Sequence, residues 1–205
     1  MANNKPTVFD DLAAGARRMD YVPRTQEAQA YYKRKARSLK SLTPRRMIRD
    51  ADRGNVVTRI PKTRSIIGNM VMFQYDPKTK DTLPYYDIHP LVFIVKPLPD
   101  GFLGLNFHYL PYRWRAILLN RLTEIATNDK FDETTRILMT YKILARSARF
   151  KAFQPCLKRY LTSQVQSKFL WIPSQDWEIA IFLPVQKFMG ASNEKVWKDS
   201  RRSFI

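Results

Sequence analysis

Two histidines and one aspartate are the residues of this chain whose types and spacing could support metal or acid–base chemistry. Asp87 and His89 are two residues apart, and His108 follows beyond a strong turn signal. If the strands that carry them pair in register, the three side chains could bind a metal ion. Both histidines lie in apolar, strand-like surroundings, so a hydrogen-bonded structural role is the better interpretation.

The remaining candidates for catalysis are weaker. Asp76, Asp81 and Asp87 fall in predicted loops, as the carboxylates of a nuclease-like metal cluster could, but Lys78 and Lys80 lie among the first two. Solvated turn charges explain that pattern better. The sequence contains no GxGxxG, GxxxxGK(S/T), HExxH or GxSxG motif. We therefore predict no enzymatic activity, no metal site, no cofactor and no small-molecule substrate.

Cysteine content and hydropathy limit the cellular compartment in which we expect this protein. The single cysteine, Cys156, excludes an intramolecular disulfide framework and a cysteine-based zinc site. It follows Pro155 at a predicted helix start, so we expect a small buried thiol. The N-terminus lacks the apolar stretch of a secretory signal. The longest apolar runs, such as Leu91–Val95, are far shorter than the roughly twenty residues of a membrane span. We expect a soluble protein, made in a reducing compartment, with no membrane partner.

Positive charge is the strongest functional signal. The 205 residues carry 36 Lys and Arg against 18 Asp and Glu, a formal net charge of +18. Residues 1–64 hold sixteen of the basic and six of the acidic side chains, and residues 187–205 hold five and two. A field of this size attracts polyanions through counterion release, and nucleic acid is the obvious polyanion. A role in solubility alone is the alternative.

The basic residues form clusters with aromatic neighbours. Guanidinium and ammonium groups suit phosphate contacts, and Tyr31 and Tyr32 beside the first cluster suit base stacking. Docking of these tyrosines onto the core explains them at least as well. No RNP motif, zinc finger or helix-turn-helix is present, so we expect contact with the DNA backbone without sequence preference. The candidate nucleic-acid or partner-binding residues are Lys33, Arg34, Lys35, Arg37, Arg45, Arg46, Arg49, Lys195, Lys198, Arg201 and Arg202.

Assembly is a second interpretation of the same residues. Basic arms rich in Arg and Tyr can order between neighbouring subunits of a virion, where both residue types favour interfaces. Tyr85, Tyr86, Trp171 and Trp177 are predicted to be exposed and fit that role. Under this alternative the arms bind protein and not DNA.

Composition divides the chain into three parts: a basic N-terminal arm of residues 1–64, a core of residues 65–186 and a basic C-terminal tail of residues 187–205. Residues 1–25 are polar and predicted to be flexible, and residues 26–40 are good helix formers. Thr43 and Pro44 predict a helix start, with Thr as N-cap and Pro in the first turn.

The core begins with three predicted antiparallel strands, at Asn69–Tyr75, Leu91–Val95 and Phe102–Tyr109. Pro99-Asp100-Gly101 is the turn between the last two, with Gly101 suited to a positive φ. Three helices are predicted next, starting at Pro111, Asp132 and Pro155. They are followed by a strand at Lys168–Ile172 and a helix at Asp176–Leu183 capped by Ser174. The predicted fold class is α+β: a small bent antiparallel sheet or SH3-like barrel with a helical insertion, flanked by basic N- and C-terminal arms.

Long stretches of the core resemble a known family. They are GNMVMFQYDPKTKDTLPYYDIHPLVFIV, DGFLGLNFHYLPYRWRAILLNRL, PCLKRYL and the ending WEIAIFLPVQKF to VWKDSRR. Over roughly residues 66–202 the chain resembles small virion proteins of T-even-like myoviruses, best the DNA end protector family. The resemblance implies a non-enzymatic structural protein at the head–neck of a tailed phage, assembled in the host cytoplasm, that guards the ends of packaged DNA beside portal or neck proteins. A baseplate or tail-hub component that locks subunits together without binding DNA is the alternative.

Overall fold

The protein is described by a computed structural model over residues 8–38, 43–53, 67–126, 151–186 and 188–202. These residues form six α-helices, a five-stranded antiparallel sheet and a two-stranded sheet. The predicted α+β class is confirmed. The helices of the described segments fall short of the length and apolarity that a membrane span requires.

The helices begin where local signals place them. Thr43 accepts a hydrogen bond at its side chain from the backbone N–H of Arg46, and Pro44 occupies the first turn, as predicted. The predicted helix at residues 26–40 is confirmed over Gln26–Ser38, and residues 39–40 lie outside the described residues. The helices are α1 Val8–Arg18, α2 Gln26–Ser38, α3 Pro44–Asp52, α4 Tyr112–Ala126, α5 Trp177–Ala180 and α6 Asn193–Arg202.

The main sheet has the order β5-β4-β3-β1-β6, and β2 pairs with β7 in the small sheet. The three predicted consecutive strands are therefore confirmed as neighbours in one sheet. In the described chain, the edge strands β5 and β6 do not pair with each other, so the sheet is open and is not the closed barrel offered as an alternative. The strands are β1 Met70–Met72, β2 Tyr86–Asp87, β3 Leu91–Leu98, β4 Gly101–Asn106, β5 Leu157–Leu161, β6 Leu170–Ile172 and β7 Phe188–Met189.

Both faces of the main sheet are buried. Alternate residues of a strand point to opposite faces, so Met70 and Met72 pack against the helices, whereas Val71 faces a second, smaller cluster. That cluster is aromatic: the ring of Phe73 lies 5.3 Å from that of Tyr160 and 5.1 Å from that of Phe169. Residues 162–169 carry the chain from β5 to β6 and supply Phe169 to this face.

The N-terminal helices are part of the main core, contrary to the interpretation of residues 1–25 as a flexible arm. Phe9 and Leu12 of α1 and Tyr31 and Tyr32 of α2 are all less than 8% exposed. Amphipathic spacing explains the burial, because one face of each helix carries its apolar residues. The backbone N–H of Arg24 donates to Glu178 Oε1 at 2.7 Å, which joins this region to the C-terminal third.

The C-terminal helix packs in the same way. Val196 of α6 is fully buried in the main core, and Trp197 Nε1 donates to the carbonyl oxygen of His108 at 2.8 Å. The described part of the predicted tail is therefore a docked helix with an exposed basic side. The boundaries at residues 64/65 and 186/187 stay predictions.

Four local predictions have different outcomes. The helix predicted from Pro111 is confirmed as α4. The helix predicted from Pro155 is wrong: a 3₁₀ segment, Lys151–Cys156, ends there and the chain continues as β5. Pairing of Leu157–Leu161 with β4 outweighs local helix propensity. Ser174 makes no capping hydrogen bond and lies in a 3₁₀ turn before α5. The helix predicted from Asp132 lies outside the described residues.

Candidate nucleic-acid interface

The carboxylate of Asp87 is the centre of a buried polar network. His108 Nδ1 lies 2.8 Å from Asp87 Oδ2, and Asn106 Nδ2 donates to the same oxygen at 3.0 Å. The backbone N–H of His89 donates to Asp87 Oδ1, also at 3.0 Å. Burial alone would raise the pKa of Asp87, but the charge and hydrogen bonds around it outweigh burial and lower the pKa.

This network has a structural role. Asn106 Nδ2 also donates to the hydroxyl of Tyr160 at 3.1 Å, so the network ties β2, β4 and β5 together. His108 is a buried, hydrogen-bonded histidine, as the sequence predicts. Across the described ranges, no three His, Cys, Asp or Glu side chains are grouped closely enough to hold a metal ion.

The other groups considered for chemistry have ordinary surroundings. Asp76 forms an ion pair of 3.1 Å with Lys80, and both are solvent-exposed, as predicted for turn charges. Cys156 is buried, and its thiol donates to the carbonyl oxygen of Phe153 at 2.9 Å. Burial raises the pKa of Cys156 to about 12, so the thiol stays protonated and unreactive at neutral pH.

Three cations surround the ring of Tyr112. The charged groups of Lys33, Arg37 and Arg115 lie 5.6, 5.8 and 4.5 Å from its centroid. Lys33 and Arg37 are four residues apart on α2 and therefore share one helix face. The ring of Tyr112 lies 5.5 Å from that of Trp197 on α6.

The ring of Tyr112 thus brings α2, from the N-terminal third of the chain, near α6, from the C-terminal region. Arg201 Nε donates to the carbonyl oxygen of Trp197 at 3.3 Å, one turn along α6. We call Lys33, Arg37, Tyr112, Trp197 and Arg201 the α2–α6 basic face. Within the described residues, Lys33, Arg37 and Arg201 have no carboxylate oxygen within 4.0 Å, so their charges are open to an added anion.

Arg115 is the buried member of this group. Its side chain is fully buried, and its nitrogens donate to the carbonyl oxygens of Leu110 at 2.7 Å and Ile181 at 2.9 Å. Burial lowers the pKa of Arg115 to about 10, so the guanidinium still carries its charge at neutral pH. No local pattern distinguishes the buried Arg115 from the exposed Arg113, two residues earlier.

The remaining predicted basic residues are exposed and spread over three helices. Arg45, Arg46 and Arg49 lie on α3, which packs against the edge strand β6. Arg46 pairs with Asp50 at 3.9 Å. The residues outside the α2–α6 basic face on α2 and α6 are Arg34, Lys35, Lys195, Lys198 and Arg202, all exposed.

The aromatic residues are placed differently from the sequence predictions. Tyr31 and Tyr32 are buried and dock α2 on the core, which is the alternative given for them. Trp177 was predicted to be exposed but is 5% exposed, because it packs on Phe93 and donates to the carbonyl of Ile172. Tyr85 and Tyr86 are half-buried.

Tyr85 and Tyr86 line a groove that sequence reasoning missed. The groove has a volume of about 490 Å³ and runs between β5 and the loop that leads into β2. A second hollow of about 340 Å³ adjoins it and shares Tyr85, Tyr109 and Lys158. We call the two together the tyrosine groove, lined by the half-buried Tyr85 and Tyr86, by the buried Tyr75, Tyr109 and Tyr160, and by Lys78, Lys158 and Arg159.

The missed signal was the sequence Leu157–Leu161. The predicted helix from Pro155 does not place Lys158, Arg159 and Tyr160 along one edge of a sheet. As β5, the segment places Lys158, Arg159 and Tyr160 along the groove. A basic strand edge lined by tyrosines can contact both phosphates and bases.

Comparison with known proteins identifies the family of this chain. No curated protein and no solved structure matches the chain significantly. A family model described as phage T4 terminal DNA protecting protein matches residues 24–200, which include α2 to α5, all the strands and most of α6. The chain therefore belongs to the phage T4 terminal DNA protecting protein family, which confirms the resemblance drawn from its sequence.

Proposed function

We propose that this protein is a non-enzymatic structural component of a tailed-phage virion that binds and shields the ends of packaged DNA. The observation that carries the proposal is the family match over residues 24–200, since the family is described by the protection of terminal DNA. The net charge of +18 provides the attraction that a DNA-binding protein needs.

The α2–α6 basic face is the surface best suited to the DNA backbone. Lys33, Arg37 and Arg115 repel one another around a single ring, and a phosphate placed there would relieve that repulsion. Each phosphate neutralised also releases condensed counterions. Contacts of this kind carry no base information, so the same face serves any terminal sequence.

Protection by binding needs no catalytic residue. An exonuclease must reach the terminal phosphodiester, and a protein seated on the end denies it access. We place the protein in the virion at the head–neck region, beside the portal or neck proteins, after assembly in the host cytoplasm. The other predicted basic residues, on α3 and along α6, remain available for DNA or for those neighbouring proteins.

The proposal is tested with two short duplexes of one sequence. One has open blunt ends, and the other is closed at both ends by hairpin loops. Fluorescence anisotropy at about 50 and about 200 mM salt measures binding, and the log of the affinity should fall by about 0.9 per phosphate contact per decade of salt. Long linear DNA is then exposed to an exonuclease with and without protein.

We expect binding at low salt and protection of the ends at protein concentrations that leave an internal restriction site cleavable. Absence of binding at low salt would contradict the proposal and favour an assembly role in the baseplate or tail hub. Equal protection of ends and internal sites would show a protein that coats DNA along its length.

A further inference from the structure

We propose that the tyrosine groove binds the terminal unpaired nucleotide of a DNA end, with the base against the tyrosine rings and the phosphate at Lys158. This inference rests on the proposed function, because it names the part of a DNA end that the protein would hold. It assigns the terminal nucleotide to the tyrosine groove and the flanking duplex to the α2–α6 basic face.

The size of the groove matches one or two nucleotides. Its two hollows, about 490 and 340 Å³, lie within the range of about 300–1,000 Å³ in which proteins bind small organic ligands. A duplex hides the faces of its bases in the stack, except at the last pair. Only an unpaired or frayed nucleotide can therefore place a free base inside the groove.

The walls of the groove suit a base of any identity. The rings of Tyr85 and Tyr109 lie 6.1 Å apart with 39° between their planes. Burial raises the pKa of Tyr109 and of Tyr160, so both phenols stay neutral and do not repel a phosphate. Every base has a π-face, so stacking on such rings is tolerant of sequence.

The charge in the groove favours an anion. Lys158 Nζ lies 4.1 Å from the ring centroid of Tyr109, and no carboxylate of the described residues forms an ion pair with it. Burial lowers the pKa of Lys158, which shows that its charge lacks full solvation. A bound phosphate would supply the missing counter-charge.

The acidic residues of the groove already have partners. Asp100 accepts from Arg159 Nη2 at 2.6 Å, and Asp87 is held by His108 and Asn106. Asp199 lines the smaller hollow and is not without a partner either. Lys78 is exposed at the rim and adds a second cation that has no ion pair among the described residues. The lining therefore offers aromatic side chains and two lysines, Lys158 and Lys78, that form no ion pair among the described residues. A nucleotide matches this combination better than an acidic peptide, which has charge without flat rings.

The test uses the full-length protein and a duplex with a short single-stranded overhang. The fluorescent base 2-aminopurine is placed at the last unpaired position or, in a second duplex, at an internal paired position. Stacking on tyrosine should quench the terminal probe, and the internal probe should not change. The duplex closed by hairpin loops reports binding that needs no end.

Matched variants separate the groove from the rest of the protein. Lys158→Met removes the buried charge and keeps the apolar stem. Lys78→Gln removes a positive charge at an exposed position of the groove, where the substitution should not affect folding. Its control, Lys80→Gln, changes an exposed lysine of the same loop that is paired with Asp76 and is not part of the groove lining. Tyr85→Leu removes one ring.

We expect Lys158→Met and Tyr85→Leu to weaken binding of the overhang duplex by about fivefold or more, with terminal quenching lost in Tyr85→Leu. Lys78→Gln should give a smaller loss of the same kind. Binding of the closed duplex should be unchanged in all of them, and Lys80→Gln should match the wild type.

Two results would overturn the inference. If the wild type binds both duplexes and leaves the terminal probe unquenched, the groove does not hold the nucleotide, and the proposed function survives. If an acidic peptide competes for the groove and a single-stranded oligonucleotide does not, the site serves a protein partner. Failure of the proposed function looks different, since neither duplex would then bind at low salt.

Discussion

The guanidinium carbon of Arg115 lies 4.5 Å from the ring centroid of Tyr112, the ring that Lys33 and Arg37 also approach. The buried guanidinium of Arg115 thus lies directly beneath the α2–α6 basic face. Its hydrogen bonds to the carbonyls of Leu110 and Ile181 fix the start of α4 against the segment that follows α5. One side chain therefore contributes to the fold and to the positive field above it.

Arg115→Met should destabilise the fold by about 3 kcal/mol or more. The substitution leaves buried carbonyl oxygens without their donors, and such groups are costly when desolvated. Urea unfolding followed by circular dichroism measures the change. Arg113→Met, at an exposed position of the same helix, should stay within about 0.5 kcal/mol of the wild type. Equal effects of the two substitutions would contradict the role assigned to Arg115.

Leu12→Ala should destabilise the protein by about 2–4 kcal/mol, because Leu12 is 5% exposed and packs in the main core. Thermal unfolding measures the loss. Val22→Ala, at a residue that is 64% exposed, is the control and should be near neutral. A neutral Leu12→Ala would restore the interpretation of the N-terminus as an arm that the core does not need.

Gly101→Val should disrupt the pairing of β4 with β5, but not for the reason that the turn signal gave. Gly101 is not among the residues with positive φ. A Cβ there would collide with the backbone carbonyl oxygen of Tyr160 across the sheet. We expect a loss of about 3 kcal/mol or more. Gly68→Ala tests backbone conformation alone, since Gly68 has a φ of +79° and open space around it, and should cost about 1 kcal/mol.

Asp176→Asn should stabilise the protein at neutral pH. Burial, helped by the nearby charge of Asp10, raises the pKa of Asp176 from 3.8 to about 6. The ionised form of Asp176 is therefore more favourable in the unfolded chain than in the folded protein. As the pH falls from 7 towards 4, the folded protein takes up the proton first and the wild type gains stability. Because Asp176 is half-exposed, the gain at pH 7 should be about 1 kcal/mol.

A pH series of urea unfolding tests this, and the difference between Asp176→Asn and the wild type should disappear by about pH 4. Asp81→Asn, which changes an exposed loop carboxylate, should follow the wild type throughout. A gap that widens at low pH would refute the assigned shift.

Substitution of both Lys33 and Arg37 by Gln should weaken binding to duplex DNA at low salt and reduce the salt slope by about 1.8, which is two phosphate contacts. The matched control is the double substitution of Arg34 and Lys35, which removes the same charge from the same helix outside the α2–α6 basic face. Anisotropy at several salt concentrations distinguishes them. Indistinguishable slopes would mean that net charge alone governs binding.

The sequence predicted the parts of the fold that local rules decide. The Thr43–Pro44 start of α3, the hairpin of β3 and β4 and the helix from Pro111 all depend on neighbouring residues. The segment Leu157–Leu161 was misassigned, because its strand state depends on β4, more than fifty residues earlier. Pairing partners at that distance leave no trace in a local pattern.

The candidate site was predictable in composition but not in arrangement. Lys33, Arg37 and Arg201 were identified from charge. The approach of Lys33 and Arg37 to the ring of Tyr112, and of that ring to Trp197 on the helix that carries Arg201, required the tertiary structure. The polar composition of residues 1–25 concealed α1, whose buried residues Phe9, Leu12 and Ala16 lie on one side of the helix. Composition averages over a helix, whereas packing depends on the single face that meets the core.

The pairing of β1 with β6 joins Met70 to Ile172, and the ring of Tyr112 lies beside both Lys33 of α2 and the ring of Trp197 of α6. Contacts between such distant parts of the sequence form only when nearly the whole chain has been synthesised. A growing polypeptide would carry its first basic segment long before the surface that this segment completes exists. The α2–α6 basic face would therefore be completed only at the end of translation, and an unfinished chain would not present it.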